Sequence, residues 1–503
     1  MKKEERESRR EFIKKAAAGT ASLLFSNIYL RCSKPSRKPN IIYILADDLG
    51  YGELGCYGQK MILTLYIDRM AREGIRFTQH YSGSSVCAPS RCTLLTGKHT
   101  GHSYIRDNDE MAERGDVWHD PKLEGQRPLP AGTETIGTML KEAGYTTCCI
   151  GKWGLGGPDS EGHPNNQGFD HFFGYLCQRH AHNYYPTHLW RNKEKIILEN
   201  EYLFPHQRLP EDLDPYDPKS YKKYTGNQYA PDLMIREALD FIRSNSNKPF
   251  FLYYATPVPH VSLQIPEEYR RMYEGRFPEV PYRGEKGYVP NRFPRATYAA
   301  MITHMDYHIG LIIYLLTKMG LHRDTLIMFS SDNGPTFAGG VDYEFFDSNG
   351  PLRGLKQDLY EGGIRVPMIA WWPGHVVSGA VTDHISALWD VLPTIAELTG
   401  AKPPQDIDGI SFLPTIMGRG RQKKHRYLYW EYFGQPSQAV RMGRWKGIQF
   451  YNRDRSKRPF ELYDLDRDIA ESKNIASENP EIVARIRKIM DSRTPSEFKK
   501  WNF

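Results

Sequence analysis

The segment Asn40-Ile41-Ile42-Tyr43-Ile44-Leu45-Ala46 is an unbroken apolar run that stops on two carboxylates, Asp47-Asp48. A run of this length, rich in β-branched residues, suits a strand buried on both faces, as in a parallel sheet covered by helices. Similar runs recur at Tyr145–Ile150, Phe250–Ala255, Thr325–Ser330 and Pro367–Trp372. Between them the apolar spacing turns helical, at Ile67–Glu73, Thr133–Ala143, Ala230–Arg243, Ala296–Met319 and Ala387–Thr399. Alternating strands and helices predict an α/β domain over residues 40–400 with a mixed, mainly parallel central sheet flanked by helices.

After Gly400-Ala401-Lys402-Pro403-Pro404 the pattern changes. Short candidate strands at Tyr427–Glu431, Gln438–Met442, Lys446–Phe450 and Phe460–Tyr463 precede one helix, Pro480–Asp491. Residues 401–503 are therefore expected to form a smaller C-terminal α+β domain with an antiparallel sheet. Two stretches, about 156–228 and 261–292, are rich in Pro, Tyr, His and Asn and lack periodicity. Loops of that length in a compact enzyme are usually functional or mobile.

The net charge of +7 arises in residues 1–38, which hold 11 Lys/Arg and 4 Glu; the rest of the chain is formally neutral. This gives no overall support for nucleic-acid binding, which needs positive charge on the folded surface. Residues 1–32 read as an export signal, because Ser8-Arg9-Arg10-Glu11-Phe12-Ile13-Lys14 resembles a twin-arginine motif and an apolar stretch, Ala16 to Leu30, follows it. Residues 33–39 form a linker. The expectation is a periplasmic protein that uses the secretion machinery. Lipid anchoring at Cys32 is the weaker expectation, since Tyr29-Leu30-Arg31 departs from the small residues that precede a lipidated cysteine. The seven cysteines stop at Cys177 and include no C-x-x-C pair, which argues against a disulfide scaffold and against a zinc site of that type.

Asp47-Asp48 sits at the carboxyl end of the first predicted strand, and Ser331-Asp332-Asn333-Gly334 at that of another. Ligands of open α/β sheets bind at the carboxyl ends of strands. Three carboxylates and an amide oxygen converging there would form an all-oxygen site for Ca²⁺ or Mg²⁺.

Cys87-Ala88-Pro89-Ser90-Arg91, continuing as Cys92-Thr93-Leu94-Leu95-Thr96-Gly97-Lys98, resembles the signature of the type I sulfatase family, in which the cysteine is oxidised to formylglycine. The resemblance runs from about Pro39 to Ala476 and is closest to exported bacterial polysaccharide sulfatases. It includes Gly151-Lys152-Trp153-Gly154-Leu155-Gly156, Pro257-Val258-Pro259-His260, Ser331-Asp332-Asn333-Gly334, Leu352-Arg353-Gly354-Leu355-Lys356 and Glu461-Leu462-Tyr463-Asp464-Leu465. It implies an alkaline-phosphatase-like fold and a sulfuric ester hydrolase that needs a sulfatase-maturating enzyme. In that family a hydrated aldehyde offers two geminal hydroxyls, one to attack sulfur and one to collapse the covalent sulfate adduct.

By the resemblance, Asp47, Asp48, Cys87, Asp332 and Asn333 would hold Ca²⁺, with Mg²⁺ the alternative ion. Arg91, Lys152 and Lys356 would surround the sulfate. His260 would be the general acid for the leaving alcohol. One departure bears on the site: the family usually has a His where Gly154 stands, so either this subgroup works without it or another His enters from a loop, with His163, His180 and His182 as candidates.

His180, His182, Tyr184, Tyr185 and Trp190 lie in an imidazole- and aromatic-rich run suited to sugar contacts. The expected substrate is a sulfated glycan, with galactose or N-acetylgalactosamine sulfates preferred, or a small sulfate ester. The alternatives are a phosphonate or phosphate ester hydrolase on the same metal cradle, and an inactive glycan-binding relative, the latter motivated by Gly154.

Overall fold

The computed structural model describes residues 38–111, 113 and 124–503. The export segment, Cys32 and nearly all of the linker lie outside the described residues. Pro39–Phe503 forms one compact unit.

Eleven strands build the main sheet: β1 (Asn40–Asp47), β2 (Ile75–Tyr81), β3 (Thr146–Lys152), β4 (His171–Tyr175), β5 (His188–Arg191), β6 (Glu194–Ile197), β7 (Phe250–Pro259), β8 (Thr325–Ser331), β9 (Arg365–Trp371), β10 (Ala380–Thr382) and β11 (Ser386–Ala387). Their order is β10-β2-β9-β8-β1-β7-β3-β4-β5-β6, with β11 also paired to β2. The five central strands, β8-β1-β7-β3-β4, are parallel. β9 runs antiparallel to β8 and to β2, and β5 and β6 extend the far edge antiparallel. The sheet is thus mixed and mainly parallel, as the apolar runs predict. The stretch 156–228 differs from expectation: it contributes β4, β5 and β6, strands too short to show a period.

Successive side chains of β1 enter opposite cores. Ile42, Ile44 and Ala46 face the layer of α1 (Leu65–Glu73), α4 (Ala230–Ser244) and α5 (Pro294–Lys318). Ile41, Tyr43 and Leu45 face α2 (Cys87–Thr96), α3 (Ile136–Glu142) and α6 (Val391–Thr399). Helices on both faces are what a strand apolar on both sides requires. Helix α5 is long and apolar enough by composition to cross a bilayer, yet most of it is buried in the first of these cores.

The smaller antiparallel sheet has the order β12 (Leu428–Tyr432), β13 (Ser437–Met442), β14 (Trp445–Phe450), β15 (Glu461–Asp464). Strand alternation splits it too. Tyr429, Val440 and Leu462 pack on helix α7 (Pro480–Met490), while Trp430, Ala439 and Ile448 pack on Tyr81, Val86 and Trp389 of the main body. Trp430 Nε1 donates to Ser82 O at 2.9 Å, five residues before Cys87. Buried Lys446 lies 2.9 Å from Glu361 and 3.1 Å from Glu471. Removing one partner of such a buried group typically costs about 3–5 kcal/mol, so this contact specifies how the small sheet docks.

Candidate active site

Strand pairing delivers the first four polar groups. β1 and β8 are parallel neighbours with Ala46 opposite Ser331, so the residues that follow each strand emerge side by side. Asp48 turns into the left-handed region at φ 65°, where Asp is among the better-tolerated residues. Its N–H donates to Asp332 Oδ1 at 3.1 Å, and Asn333 Nδ2 donates to Asp48 Oδ1 at 2.8 Å. Cys87 opens helix α2, with Sγ 3.4 Å from Asp47 Oδ1 and 4.0 Å from Asp48 Oδ1. One turn on, Ser90 Oγ donates to Asp332 O at 2.5 Å and ties the helix to the end of β8.

Three cations balance the three carboxylates. Lys152, at the end of β3, places Nζ 2.6 Å from Asp47 Oδ2. Lys356 Nζ lies 2.8 Å from Asp48 Oδ2 and 3.6 Å from Cys87 Sγ. Arg91 is fully buried, with Nη2 2.7 Å from Asp332 Oδ2 and 3.6 Å from Asp47 Oδ2, and Nη1 donating to Lys152 O at 2.6 Å. The sequence expectation set Arg91 beside the sulfate. Here its guanidinium is spent on carboxylates behind the cavity, because four residues along a helix carry it one turn inward from Cys87.

The cluster fits a hard dication. Asn333 Oδ1 is a buried acceptor with no hydrogen-bond partner among the described residues, and the amide is held beside Asp48, whose backbone N–H is bonded to Asp332 and whose carboxylate lies near that of Asp47. Such an all-oxygen set suits Ca²⁺ or Mg²⁺. The formal charges of the acids and bases already cancel, so a dication would leave the site positive, ready for an anionic ester. Burial alone would raise Asp47, but Lys152, His260, Arg91 and Lys356 hold it well below the usual carboxylate range. Burial and the charge of Asp47 push Asp332 up to about 7 against the pull of Arg91. A cation between them would favour ionisation of both.

Burial pushes the Cys87 thiol up to about 12, although Lys152 and Lys356 oppose the shift. At neutral pH it is a protonated thiol, and the thiol is a poor nucleophile. His260 Nε2 lies 3.6 Å from Asp48 Oδ2, and Nδ1 contacts the carbonyl of Val261. Burial first, then Lys356, lowers this imidazole to about 4.

A cavity of about 680 Å³ opens over these groups. Cys87, Lys152, His260 and Lys356 line its floor, and His182, Gln178, His206 and Tyr288 its walls. Of the five sequence-predicted substrate contacts, only His182 faces this cavity. Its ring stacks on His260, with centroids 4.9 Å apart and planes at 13°, and its Nδ1 lies 3.1 Å from His206 Nε2. Tyr184 is in the core, donating to Pro257 O and His260 O at 2.5 and 2.6 Å. Tyr185 packs on Tyr229. Trp190 and His188 both bond to Glu124 Oε1, and His180 packs against His188. These rings read as sugar platforms in sequence because composition does not separate a stacking ring from a core ring.

His163 caps a short 3₁₀ turn away from the cavity, with Nδ1 accepting from Asn165 N. Gly154 has φ 76°, and a Cβ there would meet Gln178 at 3.5 Å and Arg91 Cδ at 3.9 Å. Gln178 therefore fills the space beside Gly154, and its buried Oε1 has no hydrogen-bond partner among the described residues. Gln178, His206 and Tyr288 escaped the sequence reading: they come from aperiodic segments joined only by tertiary closure.

Residues 39–401 match the sulfatase family model, and residues 354–495 match the model of the N-sulphoglucosamine sulphohydrolase C-terminal region. N-acetylgalactosamine-6-sulfatase of Mus musculus is 32% identical over 434 residues, covering 86% of this chain and 75% of that protein. Among solved structures, Ps i-CgsB is 29% identical with a TM-score of 0.72, covering 90% of this chain and 92% of that one. The same protein solved with k-i-k-neocarrahexaose gives a TM-score of 0.68. A sulfatase from a glycosaminoglycan-metabolism locus of Bacteroides thetaiotaomicron is 26% identical with a TM-score of 0.70, covering 91% of this chain and 99% of that one. On the extent of these matches, and with the signature cysteine seated in the carboxylate cradle, the chain belongs to the sulfatase family and is a sulfuric ester hydrolase.

Proposed function

We propose that this enzyme removes sulfate from galactose- or N-acetylgalactosamine-type units of a glycan, with Cys87 oxidised to formylglycine and Ca²⁺ in the carboxylate cradle. The observation that carries the reading is the position of Cys87, between Asp47, Asp48 and Lys356, on the floor of an open cavity. Asp47, Asp48, Asp332 and Asn333 would hold the ion, which would polarise a sulfate oxygen and acidify the nucleophile. Formylglycine at position 87 would supply a hydrated aldehyde as that nucleophile.

The side chains of this chain do the rest. Lys152 and Lys356 bring positive charge to the cavity floor, where exclusion of water strengthens their hold on a sulfate anion. Arg91 positions Asp47 and Asp332 from behind the cavity floor. The Val261 carbonyl can only accept, so His260 carries its fixed proton on Nδ1, and Nε2 is the atom that exchanges a proton with the leaving oxygen. At a resting value of about 4 His260 is neutral. An arriving anionic ester offsets Lys356 and favours the imidazolium that protonates the alcohol.

The sugar preference is supported by the relative named N-acetylgalactosamine-6-sulfatase, and glycan binding by the relative solved with neocarrahexaose. The twin-arginine-like segment supports export to the periplasm, and the Cys87 motif supports a maturating enzyme as a biogenesis partner. A screen of defined sulfated mono- and disaccharides tests the substrate, beside mass spectrometry of the residue-87 peptide from a host with the maturating enzyme. Active protein carrying unmodified cysteine would overturn the mechanism. Activity confined to other sugars would overturn the substrate class alone. A faster rate on aryl phosphate than on aryl sulfate would favour the phosphate-ester alternative.

A further inference from the structure

On the face of the sheet served by α4 and α5, three ligand-type side chains meet outside the active site. His304 and His308 stand four residues apart on α5, so they share one helix face. Asp232, in the first turn of α4, reaches both: its Oδ1 lies 3.0 Å from His304 Nε2 and 3.3 Å from His308 Nε2. One nitrogen of each ring and a carboxylate oxygen lie within 4.8 Å of one another.

The bonding is incomplete as it stands. His304 is 2% exposed, and neither of its ring nitrogens makes a well-aligned hydrogen bond among the described residues. Its Nε2 is near Asp232 but off the line of a good hydrogen bond. The buried imidazole therefore replaces its lost hydration only through the Asp232 carboxylate, and Nδ1 has no partner among the described residues. Tyr269 and Tyr229 pack against the ring and offer it no other outlet. The separations suit a metal better. Zn–N and Zn–O bonds of about 2.0–2.2 Å in a tetrahedron place neighbouring ligand atoms roughly 3.3 Å apart.

We propose that Asp232, His304 and His308 form a second metal site for a borderline first-row dication, Zn²⁺ foremost. Two imidazole nitrogens and one carboxylate disfavour Ca²⁺ and Mg²⁺, which take oxygen ligands, so the site and the active-site cradle select different ions. Asp232 is 26% exposed, which leaves an entry path and a fourth position for water. The ion would clamp the start of α4 to α5. Helix α4 begins where Ala230 N donates to Tyr184 O and Tyr229 OH donates to Gln264 O, so the clamp would fasten the segment that carries His182 to the active site.

The test uses the full chain, stripped with a chelator and reloaded with excess Ca²⁺. Zn²⁺ is then measured by equilibrium dialysis with elemental analysis, and Tm is followed with and without Zn²⁺. One tightly held Zn²⁺ per chain and a rise in Tm are expected. His308→Ala and Asp232→Asn should lose both and lower sulfatase activity by no more than His182→Ala does, while Asp332→Asn in the catalytic cradle should keep the zinc. Should His308→Ala fail to fold, Asp232→Asn carries the test, since its side chain is partly exposed and changes little in shape. Wild-type protein that binds no Zn²⁺ would overturn the proposal and leave Asp232 as an ion-pair partner only. Zinc retained in Asp232→Asn but lost in Asp332→Asn would overturn it equally.

Discussion

The imidazole of His182 lies flat on that of His260, 4.9 Å between centroids. One loop histidine thus roofs the proposed proton donor, from a position 28 residues past the glycine where the family usually carries its histidine. Burial is the first cause of the low value at His260, and part of that burial is the His182 ring. His182→Ala should admit water and let the His260 value rise from about 4 toward the ordinary imidazole value. The alkaline limb of the kcat/KM–pH profile, where the imidazolium is lost, should move up with it, and kcat/KM at its optimum should fall about tenfold, or ~1.4 kcal/mol. An unmoved alkaline limb would show that the stacking has no electrostatic role.

His260→Ala should slow natural sugar sulfates about 10²–10⁴-fold, the usual range for a lost general acid. An activated aryl sulfate, whose leaving group needs no proton, should lose far less. Parallel kcat measurements on both substrate types check this, and equal losses would remove His260 from the role.

Lys356→Met should lower kcat about 10²–10³-fold, because its Nζ lies within reach of both the Cys87 position and Asp48 in a site shielded from water. Its side chain is 10% exposed, against 1% for Lys152, so the fold should survive. Lys152→Met should instead leave Asp47 with only the more distant Arg91 at 3.6 Å and cost about 1–3 kcal/mol in stability. Denaturant titration of the two variants separates the effects.

Glu53 gives a stability prediction. Burial first pushes this carboxyl up to about 7, against hydrogen bonds that lower it, Tyr298 Oη and Gly50 N among them. Between its ordinary value near 4.5 and about 7 the folded protein holds a proton that the unfolded chain has released, so stability from this group falls as pH rises through that window. Glu53→Gln keeps the shape: the amide oxygen can accept from Gly50 N and the amide nitrogen can donate to Tyr298 Oη. The variant should match wild type near pH 4.5 and exceed it by ~1–3 kcal/mol at pH 8. Urea midpoints at the two pH values check it, and a gap that does not grow with pH would contradict it.

The sequence revealed most where a signal is local. The runs at β1, β7 and β8 needed only their own composition to be read as central strands, and Asp47, Asp48, Asp332 and Asn333 followed from strand ends. Cys87 announced itself by motif. Helix α5 and the antiparallel order of the small sheet were legible by period. The cavity walls were not, because Gln178, His206 and Tyr288 meet only after aperiodic segments close over the sheet. The run from His180 to Trp190 misled for the opposite reason: its rings are buried, Tyr184 and Tyr185 in the core, and only His182 is half-buried at the cavity. Arg91 illustrates a third limit, since its helix position is readable but its choice of carboxylates over the cavity is not.

The two acids that open and close the cradle, Asp47 and Asp332, terminate neighbouring strands at the middle of an eleven-stranded sheet, buried on both faces. Amide protons there can exchange with solvent only through the rarest openings, those that dissolve the whole domain. The edge strands β6 and β10 can fray many times before β1 and β8 part. Denaturation followed by loss of activity and denaturation followed by slow exchange of β1 amides should therefore report one event with one free energy.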